Sequence, residues 1–267
     1  MTRIEEAFYD KKAFISFITA GDPSLEVTKQ LVIRMEQEGA DLIEIGIPFS
    51  DPVAEGPVIQ AANERALKAG TTTDKIFAMV KELRQSVKVP LVFLTYYNPI
   101  FTYGTERFLR NCQECGVDGV IVPDLPFEEK RELSDVCKQF GVTFISLIAP
   151  TSHERIKMIA KEAEGFIYCV SSLGVTGVRS AIANDIPRMV SLVRKTTDIP
   201  CAVGFGIATK EQAMAMVEIA DGAIVGSAIV ELVAKYRENA VDYVGDYVRE
   251  MKQAVESVEE VQEKIAK

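Results

Sequence analysis

The chain has 267 residues, 48% of them hydrophobic and 26% charged, with a formal net charge of −9. This length suits one α/β domain of roughly 250 residues, and no apolar run approaches the roughly 20 residues that cross a bilayer. The acidic balance argues against nucleic acid as a main partner, because a phosphate backbone requires a basic footprint.

The opening "MTRIEEAFYDKK" is acidic and amphipathic, where a signal peptide would carry an apolar core. It reads as a helix over about 2–9 in a cytoplasmic protein. Eight short apolar, β-branched runs then follow in order. They are "FISFIT" (14–19), "LIEIG" (42–46), "LVFLT" (91–95), "GVIVP" (119–123), "TFISLI" (143–148), "FIYCV" (166–170), "CAVGFG" (201–206) and "GAIVG" (222–226). Between them lie stretches with helical spacing, such as "SLEVTKQLVIRMEQEG" and "TTDKIFAMVKELRQS", and a last helix is expected over about 236–265. Strands apolar on both faces and alternating with helices predict a parallel sheet, and eight such units fit a single-domain (β/α)₈ TIM barrel over 1–267. A doubly wound open sheet is the alternative.

The five cysteines form no extracellular framework, and Cys112 and Cys115 sit in a C-x-x-C inside a helical pattern without a second pair at zinc spacing. They read as reduced thiols, and no metal site is expected. The single histidine, His153, lies near a helix start, so carboxylates must carry any proton chemistry.

In such a barrel the active site faces the C-terminal ends of the strands. The elaborate segments, "GIPFSDPVAEGPVIQ", "YYNPIFTYG", "PDLPFEE" and "SSLGVTGVRS", all follow strands, whereas the connections into strands are short. Three glycine-bearing turns follow the sixth, seventh and eighth runs: "LGVTG", "GFGI" and "GSAI". Gly226-Ser227 opens an apolar helix whose free N–H groups suit a phosphate. Strand alternation sends Leu42, Glu44 and Gly46 to one side and Ile43 and Ile45 to the other. That leaves Glu44 pointing into the barrel mouth, with no basic residue on another strand to pair with it. Burial there predicts a raised carboxyl pKa, which suits a group that both donates and accepts protons.

"IEIGIPFSDPVAEGP" resembles the signature segment of the tryptophan synthase α subunit family. "FITAGDP", "PDLPFEE", "YCVSSLGVTG", "GFGI" and "GSAIV" fall in that family's order over nearly the whole chain. The resemblance implies a carbon–carbon lyase that cleaves indole-3-glycerol phosphate to indole and D-glyceraldehyde 3-phosphate. By the same analogy Glu44 is the acid/base, Glu55 pairs with the indole N–H, and Tyr168 is the active-site tyrosine. Phe17 and Phe205 line the indole pocket, Gly177, Gly206, Gly226 and Ser227 contact phosphate, and Thr176, in a mobile lid, bonds the second carboxylate. Asp51, Pro52, Asn98 and Tyr103 belong to loops that dock a β subunit in an α₂β₂ heterotetramer. That partner carries the pyridoxal phosphate (PLP) and receives the indole; no cofactor is expected in this chain. The family's usual residue at position 55 is aspartate, so Glu55 is a departure, and the expectation is that its surroundings compensate. A stand-alone lyase and a docking protein without catalysis remain the competing readings.

Overall fold

The computed structural model describes residues 1–170, 179–204 and 206–266. Eight parallel strands close into a barrel in sequence order. They are β1 (Ala13–Thr19), β2 (Leu42–Gly46), β3 (Leu91–Leu94), β4 (Gly119–Ile121), β5 (Thr143–Ile148), β6 (Ile167–Val170), β7 (Cys201–Gly204) and β8 (Gly222–Val225). β8 pairs with β1 through Ala13–Gly222 and Ile15–Ile224, so no sheet edge remains and the open-sheet alternative falls.

The period of two along each strand divides the core. Ile15, Leu42, Val92, Ile121, Ile145, Ala202 and Ile224 fill the barrel interior, while Phe14, Ile18, Ile43, Ile45 and Phe93 face the surrounding helices. The first helix, Arg3–Phe8, starts on a Thr2 capping box and inserts Ile4 and Ala7 into the interior cluster, with Phe8 against Phe166 at 5.4 Å. It therefore plugs the N-terminal mouth and leaves the C-terminal mouth for a site.

The outer helices follow from their spacing. Leu25–Gln37 is capped by Ser24, whose hydroxyl accepts from the Val27 N–H, and buries Val27, Leu31, Val32 and Met35. Each such side chain contributes roughly 1.5–3 kcal/mol on leaving water. The closing helix spans Ala240–Ala266, starting four residues later than the sequence pattern suggested because Arg237–Asn239 forms a separate 3₁₀ turn. Its Lys252 bonds Asp41 at 2.7 Å, and the same carboxylate accepts from the Phe14 N–H and from Lys11. One buried acid thus ties the last helix to β1.

Candidate active site

Glu44 sits in β2, level with Phe17 on β1 and Val92 on β3. It points inward, is 0% exposed, and neither carboxyl oxygen has a hydrogen-bond partner among the described residues. No ion pair among the described residues involves it, and burial alone pushes its carboxyl up to about 8. At neutral pH it is a protonated acid stored in an apolar layer. Leaving such a group unpartnered costs roughly 1–3 kcal/mol, which packing alone would not select.

Tyr168, on β6, lies within electrostatic reach of that acid: burial and then the Glu44 charge both raise its hydroxyl above the ordinary tyrosine range. The ring lies over Gly204, where an added Cβ would stand 2.7 Å from the hydroxyl oxygen. Phe17 likewise rests on Gly46, where a Cβ would come 2.7 Å from the ring. Glycine at these two strand ends makes room for the aromatic rings that surround Glu44.

Above this layer the C-terminal mouth holds a cavity of about 450 Å³ lined by Glu55, Leu94, Val122, Phe127, Leu147 and Tyr168. Glu44 faces the barrel interior but is not among the cavity's lining residues, so the expectation that it points into the mouth is corrected: it is buried one layer below. The Glu55 carboxyl is pushed up to about 7 by burial, opposed by hydrogen bonds from Asn63 and Tyr96. Asn63 Nδ2 donates to Glu55 Oε2 at 2.6 Å, and the Tyr96 hydroxyl accepts from the Ala54 N–H at 3.1 Å. Sequence reasoning missed both donors. No motif in the sequence points to Asn63; its burial at 3% exposure on the helix Pro57–Lys68 is what marks it.

On the opposite side of the mouth, Gly206 follows β7 with φ +52°, a left-handed conformation that glycine adopts without strain. Gly226 and the exposed Ser227 open the helix Ser227–Tyr236, which has no side-chain cap. Its first N–H groups are therefore available to an anion. Thr176, Gly177 and Phe205 lie outside the described residues.

Asp51 is exposed and Pro52 half-buried in the loop after β2. Asn98 and Tyr103, expected in a loop, instead belong to a helix, Tyr97–Tyr103. Pro99 is accommodated in its first turn, where the missing N–H costs nothing, and Gly104 ends it with φ +92°. The Tyr103 hydroxyl donates to Asp74, accepts from Asn111, and the ring carries Arg107 over its face at 4.3 Å. Cys112 and Cys115 are buried thiols on Thr105–Cys115, and no metal-binding cluster occurs among the described residues.

A closed parallel barrel plugged at one end, with carboxylates and glycine turns gathered at the other, is the architecture of a (β/α)₈-barrel enzyme. A profile of the tryptophan synthase alpha chain family matches residues 5–259. The tryptophan synthase alpha chain of Alkaliphilus metalliredigens is 49% identical over 245 residues, covering 91% of this chain and 92% of its own. That of Lacticaseibacillus casei is 44% identical and covers 98% of both. Among solved structures, tryptophan synthase subunit alpha from Legionella pneumophila superposes with a TM-score of 0.88 at 37% identity, covering 96% of this chain and 99% of its own. A chain of the tryptophan synthase complex from Pyrococcus furiosus gives 0.83 at 34% identity, covering 91% and 99%. The chain belongs to the tryptophan synthase alpha chain family and is an enzyme of tryptophan synthesis.

Proposed function

We propose that the chain is a carbon–carbon lyase that converts indole-3-glycerol phosphate to indole and D-glyceraldehyde 3-phosphate by a retro-aldol step. The observation that carries this reading is Glu44: an inward, unpartnered acid protonated at neutral pH below an apolar cavity that holds a second carboxylate. Cleavage requires a proton on indole C3, with positive charge developing on the ring nitrogen. Glu44 gives that proton. As the C3–side-chain bond breaks, the adjacent hydroxyl becomes an aldehyde and its proton returns to the Glu44 carboxylate, restoring the acid. Glu55 accepts the indole N–H and offsets the charge that develops there.

Leu94, Leu147, Phe17, Phe205 and Tyr168 enclose the ring, while Gly177, Gly206, Gly226 and Ser227 hold the phosphate. Thr176 closes the lid on Glu55. Because Glu44 does not line the cavity, substrate entry must bring C3 and the acid within hydrogen-bond reach, and Tyr168 stands where the two spaces meet. The rim carrying Asp51, Pro52, Asn98 and Tyr103 docks a β subunit in an α₂β₂ assembly in the cytoplasm. Pyridoxal phosphate belongs to that partner, which consumes the indole. The test is indole release from indole-3-glycerol phosphate by the purified chain, with and without β subunit. Release that rises with the partner supports the subunit reading, release that ignores it leaves a stand-alone lyase, and none in either case refutes the activity.

A further inference from the structure

We propose that Asn63 and Tyr96 are positioning residues for the reaction, a two-donor clamp that takes up the extra length of Glu55 and holds its carboxylate toward the cavity. The inference rests on Glu55 holding the indole N–H as proposed above.

The geometry is specific. No ion pair among the described residues involves Glu55; Asn63 donates to it directly, and the Tyr96 hydroxyl lies within electrostatic reach. Asn63 projects from the helix Pro57–Lys68, which begins two residues after Glu55, so the chain folds back and the long acid lies beside the helix it precedes. The amide is fixed there, 3% exposed, with Nδ2 at 2.6 Å from Oε2. Tyr96 is fixed as firmly: it is 1% exposed and its ring packs on Phe49 at 5.4 Å. Its hydroxyl accepts the Ala54 N–H, which turns its own proton away from that amide, and it lies close enough to Glu55 that burial and then the Glu55 charge raise its pKa. Gln60 Nε2 holds the Glu55 carbonyl at 2.8 Å, pinning the backbone from the same helix. A carboxylate has about four lone-pair sites, so two donors leave room for the substrate N–H.

An aspartate at position 55 would stop about 1.5 Å short, one carbon–carbon bond, of where Asn63 now donates. The clamp therefore suits glutamate, and restoring the family's usual residue should not improve the enzyme. An ångström of misplacement costs on the order of 100-fold in rate, so loss of either donor should appear in kcat rather than in substrate affinity.

The experiment compares Asn63→Ala, Tyr96→Phe and Glu55→Asp in the chain assembled with its β partner, using indole-3-glycerol phosphate. The expected result is a tenfold or greater fall in kcat for Asn63→Ala and Tyr96→Phe, with KM within about threefold. Their acid limb in kcat/KM should move to higher pH, because each lost hydrogen bond had favoured the ionised form. Glu55→Asp should give no rise in kcat. In a Glu55→Gln background, removing either donor should add less than about threefold, since coupled residues do not act independently. Unchanged kcat with an unmoved limb, a tenfold rise for Glu55→Asp, or full independent losses in the Glu55→Gln background would each overturn the clamp. Tyr96→Phe, which removes one oxygen, decides the matter if Asn63→Ala fails to fold. If the unaltered chain releases no indole, the functional reading has failed instead. The clamp is then read from the Glu55 carboxyl resonance, whose midpoint rises in Tyr96→Phe if the clamp exists and stays put if it does not.

Discussion

Replacing Glu44 with glutamine should stabilise the protein, and more so as the pH rises. The folded-state pKa of Glu44 lies near 8 against an ordinary 4.5, because burial penalises its charged form. A raised folded pKa means that the native state binds the proton more tightly than the unfolded chain. The associated stability is complete below about pH 4.5 and is lost as the pH climbs toward 8. Linkage between those two values makes wild type lose on the order of 2–3 kcal/mol relative to Glu44→Gln between pH 6 and pH 9. Because Glu44 is 0% exposed, solvent screening does not discount this figure. Urea unfolding of both proteins at pH 6, 7.5 and 9 provides the assay, with the difference in unfolding free energy as the readout. Parallel pH dependences would refute the reasoning, because they would mean that Glu44 is hydrated or paired in the native state.

The remaining outcomes concern the mouth and its support. The pH dependence of kcat/KM should be bell-shaped: activity rises as Glu55 ionises near pH 7 and falls as Glu44 loses its proton near pH 8. A profile flat from pH 6 to 9 would contradict these roles. Gly204→Ala, whose Cβ would stand 2.7 Å from the Tyr168 hydroxyl, should displace that ring and lower kcat at least tenfold in a steady-state assay while the circular dichroism spectrum is retained. Asp22, 2% exposed and held by Arg65 through bonds of 2.8 and 2.7 Å, should cost about 1–3 kcal/mol on Asp22→Ala, since the half-buried Arg65 left behind can still reach water. The shift in urea midpoint checks this.

The barrel was legible because its signals were local and repeated. Each apolar run coincides with an observed strand to within two residues at either end, and the alternation around Glu44 fixed which way its side chain points. Closure followed from counting strands, since a single sequence carries no direct record that β8 pairs with β1. What could not be read were relations between side chains distant in the chain or dependent on depth. Tyr96 and Glu55 meet only because the β2 and β3 loops cross the same mouth. Periodicity gives a side chain's direction but not its burial, so it could not show that Glu44 is sealed from the cavity. The helix Tyr97–Tyr103 was hidden by its brevity and by Pro99, a residue that signals a turn when only the local sequence is weighed.

The central claim is that Glu44 delivers the proton to indole C3. The most direct measurement is single-turnover indole formation by Glu44→Gln, with binding of indole-3-glycerol phosphate determined on the same protein. The account predicts a loss of at least about 1,000-fold in rate with affinity retained within about threefold, since a glutamine fills the same space but has no acidic proton to give. A variant that still releases indole within tenfold of wild type would contradict it.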